Sequence, residues 1–278
     1  MVIEMNFELT YNVVKTQNGQ AGYTKLGAGP NLVMIVGYSG TLFHWNRSFI
    51  HKLAESFTVY LLDNRYIGES TSSNESSILG LAHDVINFID ALQIDKPIIF
   101  GWSMGGMITQ ELLANYYEKF SGAVLLATTP DNRLVSQDFV ELIKNQEHIP
   151  PHEFRMQLYA TFFSETDSEK IKLTIKDGAI LIKDYDYRFN FDAKQFQDTV
   201  VANWQGSSAQ NLSKAKIPVL VMRARNDLVI DGRAAEVFID NINDSKLVVY
   251  PTGGHFFLHK APLQVANDIA NFFINPSI

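Results

Sequence analysis

The chain has 278 residues, a formal net charge of −7 and no cysteine. The acidic balance and the lack of any lysine or arginine cluster exclude a phosphate-backbone partner, so no nucleic acid is expected. The missing thiols exclude disulfides, thiolate nucleophiles and cysteine-based metal sites. Glu4 and Glu8 interrupt the segment where a secretory leader would be apolar. The longest strongly apolar run, Leu32 to Val36, is far short of the ~20 residues needed to cross a bilayer. A cytoplasmic protein without a membrane span is the expectation.

In chain order, Glu8 to Thr16 and Gly22 to Leu26 read as edge strands joined by a turn at Asn18-Gly19. Leu32 to Val36 is a continuous apolar run, the pattern of a strand buried on both faces. Trp45 to Phe57 predicts a helix and Thr58 to Leu62 the next buried strand. Ser77 can cap a helix whose apolar stripe is Ile78, Leu81, Val85, Phe88, Ile89 and Leu92. Pro97 to Phe100 predicts a strand, Met104, Ile108, Leu112 and Tyr116 one face of a helix, and Ala123 to Ala127 a further strand.

From Asp131 to Ser213 the rhythm breaks into a mixed, charged stretch rich in aromatics, among them Phe154, Tyr159, Phe162, Tyr187, Phe189 and Trp204. Within it Ile171 to Ile182 alternates about Lys176-Asp177-Gly178, as a hairpin or a broken helix would. Pro218 to Met222 and Lys246 to Tyr250 restore the strand signal around a helix at Ala234 to Ile242. Pro262 suits the first position of a last helix facing inward with Val265, Ile269 and Phe272. These elements predict an α/β fold with a doubly wound, mostly parallel eight-stranded sheet. The expected division is a core at 1–130, a mainly helical cap inserted at 131–213, and the rest of the core at 214–278.

Gly101-Trp102-Ser103-Met104-Gly105 fits the G-x-S-x-G nucleophile elbow, and it follows a predicted strand and opens a predicted helix, as that motif requires. A serine hydroxyl needs a base beside it, and the base needs an orienting acid. His255 follows a strand through Pro251-Thr252-Gly253-Gly254, and Asp227 follows another in Arg225-Asn226-Asp227. His259 and Asp131 are the rivals for these two roles. His44, His51, His83, His148 and His152 read as surface or satisfied core residues. The developing oxyanion needs backbone donors. Met104, after the nucleophile, offers one, and Tyr38 in Val36-Gly37-Tyr38-Ser39-Gly40 offers the other.

Together these residues resemble the α/β-hydrolase superfamily over nearly the whole chain. Asp63-Asn64-Arg65-Tyr66-Ile67-Gly68-Glu69-Ser70 is similar to that family's D-x-R-G-x-G-x-S loop, with Tyr66 in place of a glycine. Arg65 there pairs with Asp63 or helps to hold the loop. Val36-Gly37 stands where many members have His-Gly. Ser-Met-Gly-Gly-Met and the single insertion look most like the small esterases and lactonases, such as enol-lactonases and pimeloyl-ester carboxylesterases. The resemblance implies a cofactor-free serine hydrolase of small or medium carboxylic esters or lactones, with Ser103 as nucleophile, His255 as base and Asp227 as orienter. A carbon–carbon bond hydrolase, a perhydrolase and a ligand receptor built on the same triad are the alternatives. Dehalogenases of this fold carry an aspartate nucleophile, and position 103 is serine. No H-E-x-x-H, P-loop or G-x-G-x-x-G element is present, so neither metal nor nucleotide is implied.

Overall fold

The computed structural model describes residues 8–185 and 191–274. Its strands are β1 (Glu8–Thr10), β2 (Asn12–Thr16), β3 (Gly19–Leu26), β4 (Asn31–Ile35), β5 (Thr58–Leu62), β6 (Thr71–Ser72), β7 (Ile98–Trp102), β8 (Gly122–Leu126), β9 (Leu181–Lys183), β10 (Val219–Ala224) and β11 (Ser245–Tyr250). The helices of the first half are α1 (Arg47–Ala54), α2 (Ile78–Ala91) and α3 (Met104–Tyr116). Between β8 and β10 lie α4 (Gln137–Lys144), α5 (Pro151–Phe163), α6 (Ser168–Gly178), α7 (Phe191–Asn203) and α8 (Ala209–Leu212). The chain closes with α9 (Arg233–Asn241), α10 (Phe257–Lys260) and α11 (Pro262–Phe273).

The main sheet runs β11-β10-β8-β7-β4-β5-β3-β2, and β6 adds to β3. From β11 through β5 every neighbouring pair is parallel, while β3 is antiparallel to β5 and β2 to β3. After β4 the chain steps one way to β5, then returns to β7 and continues outward to β11. The winding therefore reverses between β4 and β7, and the carboxyl ends of strands at such a reversal form a crevice.

Side-chain alternation on the buried strands feeds two cores. Leu32 and Met34 pack with Phe49 and Leu53 of α1 and with Val265 and Ile269 of α11. Val33 and Ile35 point to the other face, against Leu81 and Phe88 of α2, Ile108 of α3 and Phe238 of α9. Strands covered on both faces need no polar alternation, which is why they read as unbroken apolar runs. Ser77 caps α2 by accepting from Gly80 N–H at 2.9 Å, and Pro262 opens α11.

Four sequence expectations need correction. The main sheet carries the two-residue β6 in addition to the eight strands expected. The strand expected over Glu8 to Thr16 breaks at Tyr11: β1 leaves the main sheet to pair with β9, and the Tyr11 hydroxyl reaches Asp63 Oδ2 at 3.1 Å. The helix expected from Trp45 starts at Arg47, because the Asn46 side chain accepts from Phe49 N–H at 3.1 Å and caps it there. The segment 171–182 is not a hairpin. Asp167 caps α6 by accepting from Glu169 and Lys170 N–H, and Ile171 and Ile175, one helical turn apart, face the core. Tyr187 and Phe189 lie outside the described residues. No helix among the described residues is long and apolar enough to cross a membrane.

Candidate active site

Ser103 sits in the sharp turn between β7 and α3, with φ 56° and ψ −119°. A non-glycine residue in that region is strained by roughly 1–3 kcal/mol. The surroundings hold it there: its N–H donates to Leu126 O at 3.0 Å, and its carbonyl accepts from Gly106 N–H at 2.8 Å and Thr128 Oγ1 at 2.7 Å. The motif glycines are there for space. A Cβ on Gly105 would stand 2.2 Å from Ile35 O, and one on Gly101 2.3 Å from Gly105 O.

His255 follows β11 through Gly253 and Gly254, whose φ values are 108° and 60°. Those left-handed turns carry the buried ring back over the sheet. Its Nδ1 lies 3.0 Å from Asp227 Oδ2. The other carboxylate oxygen, Oδ1, accepts from Val229 N–H at 2.8 Å and Ile230 N–H at 3.1 Å. Asp227 is thus supplied with donors suited to an anion. Its neighbour Asn226 ties the two loops together, accepting from Gly254 N–H on its side chain at 3.1 Å and from Ser164 Oγ on its carbonyl. Ser103 and His255 line one cavity, and among the described residues no hydrogen bond joins their side chains.

The loop after β4 lies against Ser103. A Cβ on Gly37 would come within 2.9 Å of Ser103 Cβ, so the glycine permits the approach. Neither Tyr38 N–H nor Met104 N–H has an acceptor among the described residues. Ser39 N–H is already used, donating to Gln197 Oε1 on α7 at 2.7 Å. Asn64 Nδ2 donates to Val36 O at 3.0 Å, and the Tyr38 hydroxyl donates to Asp198, a contact that together with burial pushes its pKa up. The loop is therefore fastened from the sheet on one side and from α7 on the other.

The rival residues are placed elsewhere. His259 is half-buried beside Trp102, its Nε2 bonded to His44 O at 3.1 Å, and desolvation with the nearby His44 ring pushes its pKa down to about 3. Asp131 is tied to Arg133, whose hydrogen bonds hold its pKa below the ordinary value. Neither lines the cavity. Arg65 pairs with Asp84 at 2.7 Å and donates to the Asn74, Glu75 and Gly80 carbonyls, so it anchors the start of α2 and does not pair with Asp63. Tyr66 has φ +66°, the conformation for which a glycine is usual there, and its ring packs edge-on to Phe196 of α7.

The cavity over Ser103 has a volume of about 670 Å³, within the range of small-molecule sites. Its far walls come from residues between β8 and β10, including Phe139, Phe154, Leu158 and Phe162. His44 also lines it, although nothing in its sequence setting separates it from the other histidines. Its one local signal is Thr41 three residues earlier. Among the described residues no group of three or more histidine, aspartate or glutamate side chains is arranged to hold a metal ion.

The fold has counterparts. A structure described as an alpha/beta hydrolase fold protein from Chitinophaga pinensis superposes with a TM-score of 0.82 at 20% identity, covering 96% of this chain and 98% of that one. The pimeloyl-[acyl-carrier protein] methyl ester esterase of Wigglesworthia glossinidia brevipalpis is 23% identical over 255 residues, 83% of this chain and 88% of the relative. Monoacylglycerol lipase ABHD6 of Mus musculus is 24% identical over 264 residues, 88% of this chain and 76% of the relative. Residues 30–262 match the family described by the alpha/beta hydrolase fold, so the span from the strand before the Tyr38 loop to the helix after His255 is accounted for, and the chain belongs to that family.

Proposed function

We propose that the protein is a serine hydrolase of small or medium carboxylic esters or lactones, with residues 131–213 acting as a cap over the site. One observation carries the reading: a buried His255–Asp227 pair, 3.0 Å apart, opens onto the cavity that holds Ser103 on its strained turn. In this mechanism Asp227 keeps the proton on His255 Nδ1, leaving Nε2 to take the Ser103 proton as Oγ attacks the ester carbonyl. The oxyanion receives the free N–H groups of Tyr38 and Met104. His255 then returns the proton to the leaving alkoxide, and water repeats the sequence on the acyl-enzyme. Esterase and lipase relatives support the class of reaction.

The test is turnover of p-nitrophenyl esters from acetate to palmitate by wild type and Ser103→Ala. Rates should rise with chain length while methylenes fill the cavity, each contributing up to ~0.8 kcal/mol, and then fall. Ser103→Ala should lower kcat by on the order of 10⁴-fold or more and abolish labelling by a fluorophosphonate probe. Labelling that persists in the alanine variant, or a rate maximum at palmitate, refutes the reading.

A further inference from the structure

His44 and His255 meet the same cavity with opposite ring chemistry. At His255 the Nδ1 edge faces Asp227, so the proton belongs on Nδ1 and Nε2 is the acceptor. At His44 the roles are exchanged. Thr41 N–H donates to His44 Nδ1 at 3.1 Å, and Thr41 Oγ1 lies 3.2 Å from the same nitrogen. A ring nitrogen that accepts a backbone N–H carries no proton of its own, so in the neutral ring the proton is on Nε2. The arrangement is a capping box on the turn Leu42–His44, with histidine in the place usually taken by glutamate or glutamine.

The ring is held from its main chain as well, since the His44 carbonyl accepts from His259 Nε2 at 3.1 Å. With Nδ1 spent on the turn, Nε2 occupies the opposite edge of a half-buried ring that lines the cavity. It has no partner among the described residues. Of the other polar groups in the lining, the Tyr38 hydroxyl and Lys194 are committed to Asp198, and Ser39 N–H to Gln197. A donor facing a largely apolar cavity is costly to leave unmatched, so a ligand that supplies an acceptor is favoured over one that does not.

We infer that His44 Nε2–H is a substrate-binding donor that takes a neutral acceptor oxygen, such as a ketone, ether or hydroxyl, on the substrate beyond the scissile ester. The inference rests on the ester-hydrolase reading for its substrate class. A carboxylate fits His44 itself less well, because burial disfavours the charged imidazole that would pair with it.

The experiment compares kcat/KM for p-nitrophenyl heptanoate with its 4-oxo, 5-oxo and 6-oxo analogues. In wild type at least one oxo ester should be preferred about tenfold, the worth of one hydrogen bond. His44→Leu should remove that preference. His44→Gln keeps an acceptor for Thr41 N–H and offers an amide donor, so it should recover it. No oxo ester outperforming heptanoate in wild type, or a preference that survives His44→Leu, overturns the inference. Loss of all ester turnover speaks against the hydrolase reading instead, and binding is therefore also read without turnover. In histidine-¹⁵N-labelled Ser103→Ala, 2-heptanone should shift the His44 Nε2–H resonance. A resonance that does not move overturns the inference.

Discussion

The ring of Phe162 lies on the ring of His255, with centroids 5.7 Å apart and planes inclined by 29°. Phe162 stands near the end of α5 and stacks in turn on Phe256, at 4.5 Å and 15°. Aromatic pairs of this kind contribute about 0.5–1.5 kcal/mol beyond their buried area. Phe162→Ala should therefore free the imidazole to sample other rotamers, lowering kcat by roughly three- to tenfold. Phe162→Tyr, which keeps a ring there, should retain most of the rate. Steady-state kinetics of the two variants decide the matter; equal rates in both would show that the stacking does not position the base.

Asp227 and Asp131 separate by the same kind of measurement. In Asp227→Asn the amide can stabilise the wrong His255 tautomer, and turnover should fall by ~10⁴-fold with the fold retained. Asp131→Asn touches only the exposed Arg133 contact and should stay within about threefold of wild type. Side-by-side kinetics with circular dichroism as the fold control give the ranking. The reverse order would move the acid to the end of β8.

Gln197 is almost fully buried, and its Oε1 accepts from Ser39 N–H next to Tyr38. Truncation to alanine would leave that N–H without a partner and loosen the loop that carries the proposed Tyr38 donor. Gln197→Ala should lower kcat about tenfold or more with little change in KM, since the loss appears only as charge develops on the oxyanion. A rise in KM with kcat unchanged would assign Gln197 to ground-state binding instead.

Asp63 is buried, and desolvation pushes its pKa up to about 7 despite hydrogen bonds from the Tyr11 and Tyr185 hydroxyls and the Leu42 backbone. Arg65 nearby does not offset this, because it is committed to Asp84. Between the ordinary aspartate value and about 7, the folded chain holds a proton that the unfolded chain has released. Stability from this group is thus complete at acid pH and declines as pH rises across that window. Asp63→Asn removes the titration while keeping the shape. Urea midpoints at pH 5 and pH 8 should show the variant gaining on wild type at the higher pH, and a constant gap would disprove the sign.

The strand ends before Ser103 and Asp227 are legible because β7 and β10, covered on both faces, leave nearly unbroken apolar runs, and the end before His255 because Gly253 and Gly254 follow β11. The elbow is a local motif, complete within five residues. What holds the Tyr38 loop was not legible. Gln197 and Asp198 lie far along the chain from Ser39 and Tyr38, and no local pattern ties a glutamine on α7 to a turn after β4. The same limit hid the fate of Arg65, whose partner Asp84 lies on α2. Helix α6 escaped because Ile171, Leu173, Ile175 and the later Ile180 and Ile182 alternate as a strand would. The Asp167 cap and the single buried turn at Ile171 and Ile175 decided for helix.

The end of α5 has a consequence for recombining this protein with its relatives. Phe162 lies on His255, Ser164 Oγ donates to the Asn226 carbonyl beside Asp227, and a Cβ on Gly254 would collide with Ser164 Oγ at 2.5 Å and Phe162 O at 2.6 Å. The segment 162–164 and the two loops from β10 and β11 are therefore cut to one another's shape. A chimera that exchanges the whole of 131–213 would set foreign atoms against Gly254 and Asn226. Crossovers placed before Phe162 and after Ser164, with those three residues kept from the parent that supplies the sheet, preserve the fit. α4, the front of α5, and α6 to α8 can then be exchanged while the His255–Asp227 pair stays in its native mould.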